Sequence, residues 1–464
     1  MHWLFYLAIC LPLTGMAAPA LPSIILVMTD DQGYGDLGCT GNPVVQTPNI
    51  DAFAKQCVRF TDFHVSPTCA PTRAALMTGR HEFKNGVTHT INERERLTLN
   101  ATTMVQILKK AGYRTGIFGK WHLGDEAEYQ PGKRGYDEVF IHGAGGIGQT
   151  FPGSCGDAPH NKYFDPAIMH NGKFEKTTGY CTDVFFAQAM KWIEQQAGNG
   201  APFFACITPN APHAPLACPQ EYSSRYRGLV PDGTAEFFGM ITNIDDNFGK
   251  LLRKLEQNKL VENTLVIFMT DNGGTAGVKV FNAGMRGSKG SPWQGGTRVP
   301  SFWRWPAGFT GERECAALTA HVDVFPTIAG ITGQSLEGEL ASQVEGRSLL
   351  PLLKDPAAAW ADRFFVTHVG RWEKGQAAAA KHALCSIRDA RFTLVNNKEL
   401  FDLKADPGEQ TNVLAAHPEA AARLRGAYEE WWASVQPLMV NENAVGPAVN
   451  PYKELYWKQF GGPR

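Results

Sequence analysis

Four continuous apolar segments constrain the fold of this chain more than any other feature of its sequence. None of them alternates between apolar and polar positions, which is typical of strands buried on both faces of a parallel sheet. They span residues 22–30, 113–118, 202–208 and 264–271. Segments with helical apolar periodicity separate them, at 48–58, 72–80, 100–112, 183–196 and 235–258. This alternation predicts an α/β fold with a large mixed, mostly parallel sheet sandwiched by helices.

The pattern changes after about residue 335, where the apolar segments become shorter and tight turns join them. Such spacing is typical of an antiparallel sheet. The short segments are 364–370, 383–388, 391–395 and 399–403, and a helical pattern follows at 416–434. We therefore predict a larger α/β domain over residues 21–335 and a smaller antiparallel α+β domain with a terminal helix over 336–464.

The first twenty residues have the layout of a secretory signal peptide. The apolar run from Trp3 to Leu13 is too short to cross a bilayer, and small residues follow it. A buried N-terminal strand is the alternative, since no lysine or arginine precedes the run. The signal-peptide interpretation (residues 1–20) predicts cleavage between Ala17 and Ala20, and a secreted or periplasmic protein without stable membrane insertion.

Composition excludes several classes of protein. Hydrophobic residues make up 43% of the 464 residues, so the chain can build a core and is not disordered. Its 44 Lys and Arg against 45 Asp and Glu leave no basic excess to drive nucleic-acid or anionic-membrane binding. An anionic substrate would have to be captured by a few local cations or a metal.

The ten cysteines suit an exported protein in which some of them are oxidised. Cys155 and Cys181 enclose a segment rich in Gly, Pro and Asn, and we predict a disulfide between them, although sequence does not fix connectivity. No two cysteines have the C-x-x-C spacing of a zinc ribbon.

Cys69 stands at the predicted start of a helix, within the segment SPTCAPTR at 66–73. Pro71 suits the first turn of a helix, where backbone N–H groups favour an anion and lower the pKa of a thiol. Arg73 lies one turn further on and can reach the same anion. The pattern is compatible with a nucleophile in an anionic-ester site. For an isolated cysteine, a buried structural residue at a helix cap is the more common alternative.

Acidic and amide side chains end two of the apolar runs. Asp30 and Asp31 end the first, and Asp271 and Asn272 end the fourth. In an open α/β sheet, ligands bind beyond the carboxyl ends of the strands. Adjacent carboxylates need a cation to neutralise them, and oxygen ligands favour Ca²⁺ or Mg²⁺ over zinc. Each pair taken alone is more commonly part of a turn or a helix N-cap.

Basic side chains follow other strand ends. Lys120 and His122 come after the second apolar run and would share one face of an extended segment. A proline-rich loop fixes His213, and a glycine-rich loop carries Lys289. A lone His or Lys in a loop is usually a surface residue, but repetition of the pattern at several strand ends indicates one common centre.

Together these motifs resemble the type I sulfatases of the alkaline-phosphatase-like superfamily. The sequence CAPTR at 69–73 matches the family signature C-x-P-S/T-R, and AALMTGR at 74–80 agrees with its second half. Further segments follow in family order: the aspartate pair at 30–31, GKWHLG at 119–124, APHAP at 211–215, TDNGG at 270–274, GGTRVP at 295–300 and LFDLKADPGEQTNV at 400–413. The resemblance covers nearly the whole chain beyond the predicted signal peptide and implies an alkaline-phosphatase-like fold.

The resemblance implies a sulfuric ester hydrolase whose nucleophile is made from Cys69. During secretion, formylglycine-generating machinery would convert this cysteine to Cα-formylglycine, and a hydroxyl of the hydrated aldehyde would attack sulfur. A bound Ca²⁺, in preference to Mg²⁺, would neutralise sulfate oxygens. Its implied ligands are Asp30, Asp31, Asp271, Asn272 and the residue at position 69.

The same resemblance implies roles for the basic residues. Arg73 and Lys120 would steady the formylglycine hydrate. His122 would accept the proton of its second hydroxyl, which expels sulfate and regenerates the aldehyde. His213 and Lys289 would hold the sulfate and assist the leaving oxygen by general acid catalysis.

The resemblance implies sulfated carbohydrates as substrates, with small aryl sulfates as surrogates. The nearest alternative is a hydrolase of phosphate or phosphonate esters with the same nucleophile, and a third is a non-catalytic, calcium-dependent glycan-binding protein. Neither the sugar nor the position of its sulfate follows from the sequence. Candidate substrate contacts outside the motifs are His142, Gln149 and His160, and, in the small domain, His368, Arg371 and Trp372.

Overall fold

The computed structural model describes residues 21–462, so the predicted signal peptide lies outside the described residues. Its strands are β1 (Ser23–Thr29), β2 (Val58–Phe60), β3 (Phe63–His64), β4 (Arg114–Lys120), β5 (Glu138–His142), β6 (Ala167–His170), β7 (Lys173–Lys176), β8 (Phe203–Thr208), β9 (Thr264–Thr270), β10 (Ser301–Arg304), β11 (Arg313–Cys315), β12 (Thr319–Ala320), β13 (Phe365–His368), β14 (Cys385–Arg388), β15 (Phe392–Val395) and β16 (Glu399–Asp402).

The α-helices are α1 (Pro48–Ala54), α2 (Cys69–Thr78), α3 (Met104–Lys110), α4 (Cys181–Asn199), α5 (Gln220–Ser223), α6 (Asp232–Gln257), α7 (Gln294–Thr297), α8 (Val324–Ile331), α9 (Glu339–Gln343), α10 (Leu350–Lys354), α11 (Pro418–Val435) and α12 (Pro451–Phe460). Short 3₁₀ helices lie at Gly38–Thr40, Glu82–Asn85, Pro131–Arg134, Ala276–Lys279, His321–Asp323 and Gln436–Leu438. Within residues 21–462, no helix is long and apolar enough to cross a membrane.

Ten strands form the main sheet, in the order β11-β2-β10-β9-β1-β8-β4-β5-β6-β7. Its centre, from β9 to β5, is parallel throughout, and β10 and β6 pair antiparallel with either side of that centre. The four apolar runs form the adjacent strands β9, β1, β8 and β4, because central strands are covered on both faces. The predicted large, mixed and mostly parallel sheet is confirmed.

Side chains of β1 alternate between two cores on opposite faces of the sheet. Ile24, Leu26 and Met28 pack with α2, α3 and α8, whereas Ile25 and Val27 pack with α1, α4 and α6. Because successive strand residues point to opposite faces, a strand with helices on both sides is apolar at every position. Helices therefore sandwich the sheet, as predicted.

The carboxyl ends of the central strands lie at one edge of the sheet. β1 and β9 pair in register up to their last residues, Thr29 and Thr270, so the two acidic segments leave the sheet side by side. β4 ends at Lys120, next to the end of β8. The sheet thus delivers both acidic pairs, Lys120 and the proline-rich loop after β8 to one place.

A separate antiparallel sheet has the order β13-β14-β15-β16 and packs on α11 through Leu424, Tyr428 and Trp432. The predicted small sheet and the helix that follows it are confirmed. The last helix, α12, lies instead beside the edge strand β7, where Tyr452 and Tyr456 contact Phe174. The boundaries of the two domains stay a prediction.

The predicted disulfide between Cys155 and Cys181 is wrong. All cysteines of the described chain are free thiols. Cys155 lies near the carboxylates of Glu95 and Asp125, whereas Cys181 begins α4 and packs into the core on one face of the sheet. Asp157, which follows Cys155, instead ties the segment between them to the loop before it by accepting the backbone N–H groups of Gly143 and Gly148.

Candidate active site

Cys69 is the first residue of α2, so its predicted position at a helix N-terminus is confirmed. The backbone is extended at Thr68 and helical from Cys69 onward, which places the unpaired N–H groups of the first turn around this residue. The side chain is 2% exposed. Burial raises the pKa of the thiol, but the ammonium groups of Lys120 and Lys289 more than offset burial, and the pKa lies below its ordinary value.

Two ion pairs hold the aspartates that follow β1. Asp30 is fully buried and accepts a hydrogen bond from Lys120 Nζ at 2.6 Å, and Asp31 pairs with Lys289 Nζ at 2.5 Å. Asp31 has a left-handed φ of 68°, which turns the chain out of the strand. Because the strand breaks here, the two adjacent carboxylates reach one region, as the sequence predicts.

Asp271 and Asn272 leave β9 and meet the same group of side chains. Arg73 donates from Nε and Nη2 to Asp271 Oδ2 at 3.1 and 2.7 Å, and from Nη1 to the carbonyl oxygen of Lys120 at 2.9 Å. Asn272 Nδ2 donates to Asp31 Oδ1 at 3.0 Å. Helix α2 and the ends of β1, β4 and β9 are thereby joined at one buried point.

Burial and neighbouring charges set the pKa values of the three carboxyl groups. Burial raises the pKa of Asp30 to about 7, against the opposing effect of Lys120. Burial also raises the pKa of Asp271, and Asp30 adds to the effect. For Asp31, Lys289 and His213 outweigh burial and hold the pKa below its usual range. Further positive charge would allow all three groups to ionise together.

The cluster fits a hard divalent cation. Ligand atoms of Asp30, Cys69 and Asp271 lie within 4.8 Å of one another. Asp30 Oδ1 and Asn272 Oδ1 are buried without a hydrogen-bond partner in the part of the chain that the structure describes. A buried acceptor without a partner is unfavourable unless something else binds it. Carboxylate and amide oxygens are the ligands that Ca²⁺ takes in proteins, so the donor set fits this ion.

His122 is held as a neutral imidazole. It has a left-handed φ of 62°, so the extended geometry predicted for residues 120–122 ends at Lys120. Its Nε2 bonds the carbonyl oxygen of Thr90 at 2.8 Å, which places the ring proton on Nε2. Burial and Lys120 lower the pKa of the ring well below its ordinary value. Nδ1 is buried with no partner among residues 21–462, and its lone pair can accept a proton.

His213 and Lys289 flank Asp31 from two different loops. His213 Nε2 lies 3.9 Å from Asp31 Oδ2, and its Nδ1 bonds the carbonyl oxygen of Ala214 at 2.6 Å. The two side chains are 12% and 16% exposed, so they lie on the open side of the cluster. The structure thus brings together the residues predicted for one centre: Asp30, Asp31, Cys69, Arg73, Lys120, His122, His213, Asp271, Asn272 and Lys289.

Comparison with known proteins assigns this arrangement to a family. The family model described as Sulfatase matches residues 22–334. The chain belongs to the sulfatase family. A second family model, N-sulphoglucosamine sulphohydrolase, C-terminal, matches residues 291–427. The prediction of a sulfuric ester hydrolase is thereby confirmed.

Several relatives of this sulfatase resemble it over most of its length. Arylsulfatase G of Mus musculus is 31% identical over 380 residues, which cover 72% of this chain and 69% of the mouse protein. The N-acetylgalactosamine-6-sulfatase of Homo sapiens is 31% identical over 367 residues, covering 72% and 66%. The crystal structure of Ps i-CgsB in complex with k-i-k-neocarrahexaose has a TM-score of 0.80 at 27% identity, covering 94% of this sulfatase and 97% of that chain.

Sequence reasoning missed Glu409, which anchors the Lys289 loop of the sulfatase to the small sheet. Glu409 is 1% exposed, and its Oε2 accepts the backbone N–H of Gln294 at 2.9 Å. Gln294 Nε2 in turn donates to the carbonyl oxygen of Pro407 at 2.7 Å. The sequence signal that could have identified Glu409 is its place in the C-terminal motif at 400–413, for which the sequence indicates no role.

The six further candidates for substrate contact lie in different surroundings. Arg371 and Trp372 line a cavity of about 290 Å³, and Arg371 contacts Thr90. His368 does not line this cavity: it is the buried last residue of β13 in the small sheet, and its Nδ1 accepts the N–H of Gly370 at 2.9 Å. Of the other three, His142 is the buried last residue of β5, and Gln149 and His160 lie in the segment after β5, half-buried and exposed respectively.

Proposed function

We propose that this sulfatase hydrolyses sulfate esters of carbohydrates through a formylglycine made from Cys69, with Ca²⁺ bound beside it. The observation that carries the proposal is the position of Cys69 at a helix N-terminus, buried among three cation–carboxylate pairs. Backbone N–H groups and fixed cations around one point are complementary to a tetrahedral anion and to the charge that develops on it.

Two groups beyond the unmodified polypeptide complete the chemistry. Hydrated formylglycine supplies one hydroxyl for attack on sulfur and a second whose deprotonation expels the sulfate. A bound Ca²⁺ supplies positive charge toward the sulfate oxygens. The residues that would hold it are Asp30, Asp31, Asp271, Asn272 and residue 69.

The side chains of the protein bind, orient and move protons. Arg73 and Lys120 place positive charge beside the nucleophile. His122 accepts a proton at Nδ1, since its Nε2–H is fixed on a backbone carbonyl. Lys289 and His213, on the open side, bind the sulfate and protonate the oxygen of the departing alcohol. The alcohol leaves on this side, away from the buried cluster.

Carbohydrate substrates are supported by the names of similar proteins, which include an N-acetylgalactosamine-6-sulfatase and a protein crystallised with k-i-k-neocarrahexaose. We also propose export through the signal peptide at residues 1–20, to a secreted or periplasmic location. Formylglycine-generating machinery would then be a partner that recognises the segment around Cys69.

Mass spectrometry of the tryptic peptide that contains residue 69, combined with an assay of 4-nitrophenyl sulfate hydrolysis, tests the proposal. We expect an aldehyde at residue 69 in the exported protein, and sulfate release by that protein. An unmodified thiol together with no sulfate release would contradict the proposal and favour a calcium-dependent glycan-binding protein.

Matched 4-nitrophenyl sulfate, phosphate and phosphonate esters separate the sulfatase from a phosphate or phosphonate ester hydrolase. Membership of the sulfatase family favours the sulfate, and we expect its kcat/KM to exceed the other two by about tenfold or more, a difference of about 1.4 kcal/mol. A preference of that size for phosphate or phosphonate would support the alternative.

A further inference from the structure

A cavity beside the active site is lined by side chains that the reaction above does not use. It encloses about 290 Å³, near the lower end of the roughly 300–1,000 Å³ typical of small-molecule pockets. Its walls come mainly from residues 89–94, residues 371–374 and residues 442–446. These segments are distant in the sequence, so the cavity exists only because the small sheet docks beside the main one.

Thr90 connects this cavity to the active-site histidine. Its carbonyl oxygen bonds His122 Nε2 at 2.8 Å, and its Oγ1 accepts a hydrogen bond from Arg371 Nη2 at 3.0 Å. Thr90 therefore links Arg371 to the imidazole of His122 through two hydrogen bonds. His89, which lines the cavity, also lies close enough to His122 for the two rings to interact electrostatically, so the cavity adjoins the active-site histidine.

The backbone directs Arg371 to this position. Gly370 has a φ of 65°, and a Cβ there would come within 2.1 Å of the carbonyl oxygen of Thr88, so only glycine fits. Arg371 itself has a left-handed φ of 59°, and its N–H donates to the same carbonyl oxygen at 2.9 Å. Residues other than glycine that are held in this region carry strain and cluster at ligand-binding positions.

His89 offers a second hydrogen-bond donor to the cavity. Its Nδ1 accepts the backbone N–H groups of Thr90 and Ile91 at 2.8 and 3.1 Å, which fixes the ring proton on Nε2. Burial, together with Arg94 and Arg371, lowers the pKa of the ring to about 3 and keeps it neutral. Across residues 21–462 no group accepts a hydrogen bond from Nε2–H, and His89 lines the cavity, so Nε2–H can donate to a ligand there.

The cavity mixes hydrogen-bond donors and acceptors with some apolar surface. Its charged side chains are three carboxylates and three cations, Glu93, Glu373, Glu442, Arg94, Arg371 and Lys374, and Trp372 adds an apolar wall. A wholly aromatic group would leave the polar atoms unpaired, and an additional anionic group would meet the three carboxylates. Hydroxyl groups both donate and accept hydrogen bonds, so they can pair with both kinds of side chain.

We propose that this cavity is a saccharide subsite, in which Arg371 and His89 donate hydrogen bonds to hydroxyl groups of the sugar that carries the sulfate. The inference rests on the proposed sulfatase function, which already names carbohydrate esters, and goes beyond it by assigning Arg371 and His89 as residues that select the sugar.

The test compares kcat/KM of the full-length, formylglycine-bearing enzyme for two kinds of ester. The saccharide probes are N-acetylgalactosamine 6-sulfate and k-i-k-neocarrahexaose, and the aryl probe is 4-nitrophenyl sulfate. Arg371→Ala should lower the saccharide-to-aryl ratio of kcat/KM by about 10- to 100-fold, because hydrogen bonds from a charged donor are lost. Any indirect effect on His122 through Thr90 changes both rates and cancels in the ratio.

A second variant tests the other donor without disturbing the turn. His89→Asn keeps an acceptor for the two backbone N–H groups but removes the Nε2 donor, and should lower the same ratio by about three- to tenfold. Arg391→Ala is the matched control, since Arg391 pairs with Asp402 on the small sheet and does not line the cavity. Its ratio should equal that of the wild type.

The outcomes separate the subsite from the reaction. Unchanged ratios in both Arg371→Ala and His89→Asn would overturn the subsite and leave the sulfatase activity in place. So would a wild-type enzyme that hydrolyses 4-nitrophenyl sulfate but neither saccharide. Hydrolysis of no ester at all by formylglycine-bearing enzyme would contradict the proposed function itself.

Discussion

At the scale of single residues, the charges around Cys69 suit a monoanionic ester. Arg73, Lys120 and Lys289 each pair with one of the three carboxylates, so the net charge of these six groups is zero. If a divalent cation binds, the site has a net charge of about two positive units. These match the single charge of a sulfate monoester and the charge of a deprotonated nucleophile, whereas a dianionic phosphate monoester would exceed them.

Cys69→Ser tests the nucleophile with a minimal change of shape. Serine does not form an aldehyde hydrate, so a sulfated serine lacks the second hydroxyl that expels sulfate. We expect kcat for 4-nitrophenyl sulfate to fall by about three orders of magnitude or more. Thr72→Ser is the control, because it keeps the hydroxyl that donates to the carbonyl oxygen of Ser66 at 3.1 Å, and it should retain most of the activity. Full turnover by Cys69→Ser would exclude the formylglycine mechanism.

His122→Ala tests the proton acceptor. Removal of a general base typically lowers the rate by about 10²- to 10⁴-fold, and we expect kcat to fall by that amount with a much smaller change in KM. His382→Ala is a suitable control, since His382 is half-buried beside Glu429 on the small sheet side of the molecule. If kcat of His122→Ala stays near that of the wild type, Nδ1 takes no part in the reaction.

At the scale of elements, the small sheet positions the loop that carries Lys289. Besides the contact of Glu409 with Gln294, Ser386 on β14 donates to the carbonyl oxygen of Pro292 at 2.9 Å. The loop is thus fixed from the small sheet at two points within a few residues of Lys289. A loop held in this way presents its ammonium group to sulfate without having to order itself on binding.

Glu409→Ala should therefore raise KM for 4-nitrophenyl sulfate more than it lowers kcat, because it loosens Lys289, for which we propose a role in binding the sulfate. It also leaves the N–H of Gln294 unpaired, which destabilises the fold by about 1–3 kcal/mol. Glu409→Gln keeps an acceptor and should restore most of the affinity. Leu394→Ala on β15 should destabilise the fold by about 2–5 kcal/mol without raising KM. Equal KM values for Glu409→Ala and Leu394→Ala would reduce Glu409 to a purely structural role.

The sequence predicts those elements whose physical cause is local. Continuous apolar runs identify β1, β4, β8 and β9 because these strands are covered on both faces. In contrast, β5 and β10 are not predicted, because they are short and have polar residues, Glu138 and Arg304, at their ends. Residues at the ends of parallel strands are predictable because register alone brings them together. The contacts of Glu409 and Arg371, like the separation of Cys155 from Cys181, depend on how loops and sheets dock, and no local pattern encodes that docking.

At the scale of the whole molecule, the active site joins segments from most of the chain. The pairs Lys120–Asp30, Arg73–Asp271 and Lys289–Asp31 link the ends of three strands of the main sheet, helix α2 and a loop that the small sheet holds. Buried ion pairs contribute little net stability, because desolvation offsets much of their attraction. We therefore expect the molecule to gain stability at this cluster when the proposed cation binds.

Removal of divalent cations should lower the melting temperature of the sulfatase as well as its activity. A cation that binds only the folded protein stabilises it by about 2.7 kcal/mol at a free concentration one hundred times its Kd, enough to shift Tm by roughly a few degrees. Thermal unfolding in Ca²⁺ and in chelator measures the shift, and added Ca²⁺ should restore it. Mg²⁺ should restore less, since it requires stricter octahedral geometry. Asn272→Leu, which lacks one proposed ligand oxygen, should show a much smaller shift. Identical melting temperatures of the wild-type protein in Ca²⁺ and in chelator would mean that the oxygen cluster around Asp30 holds no cation.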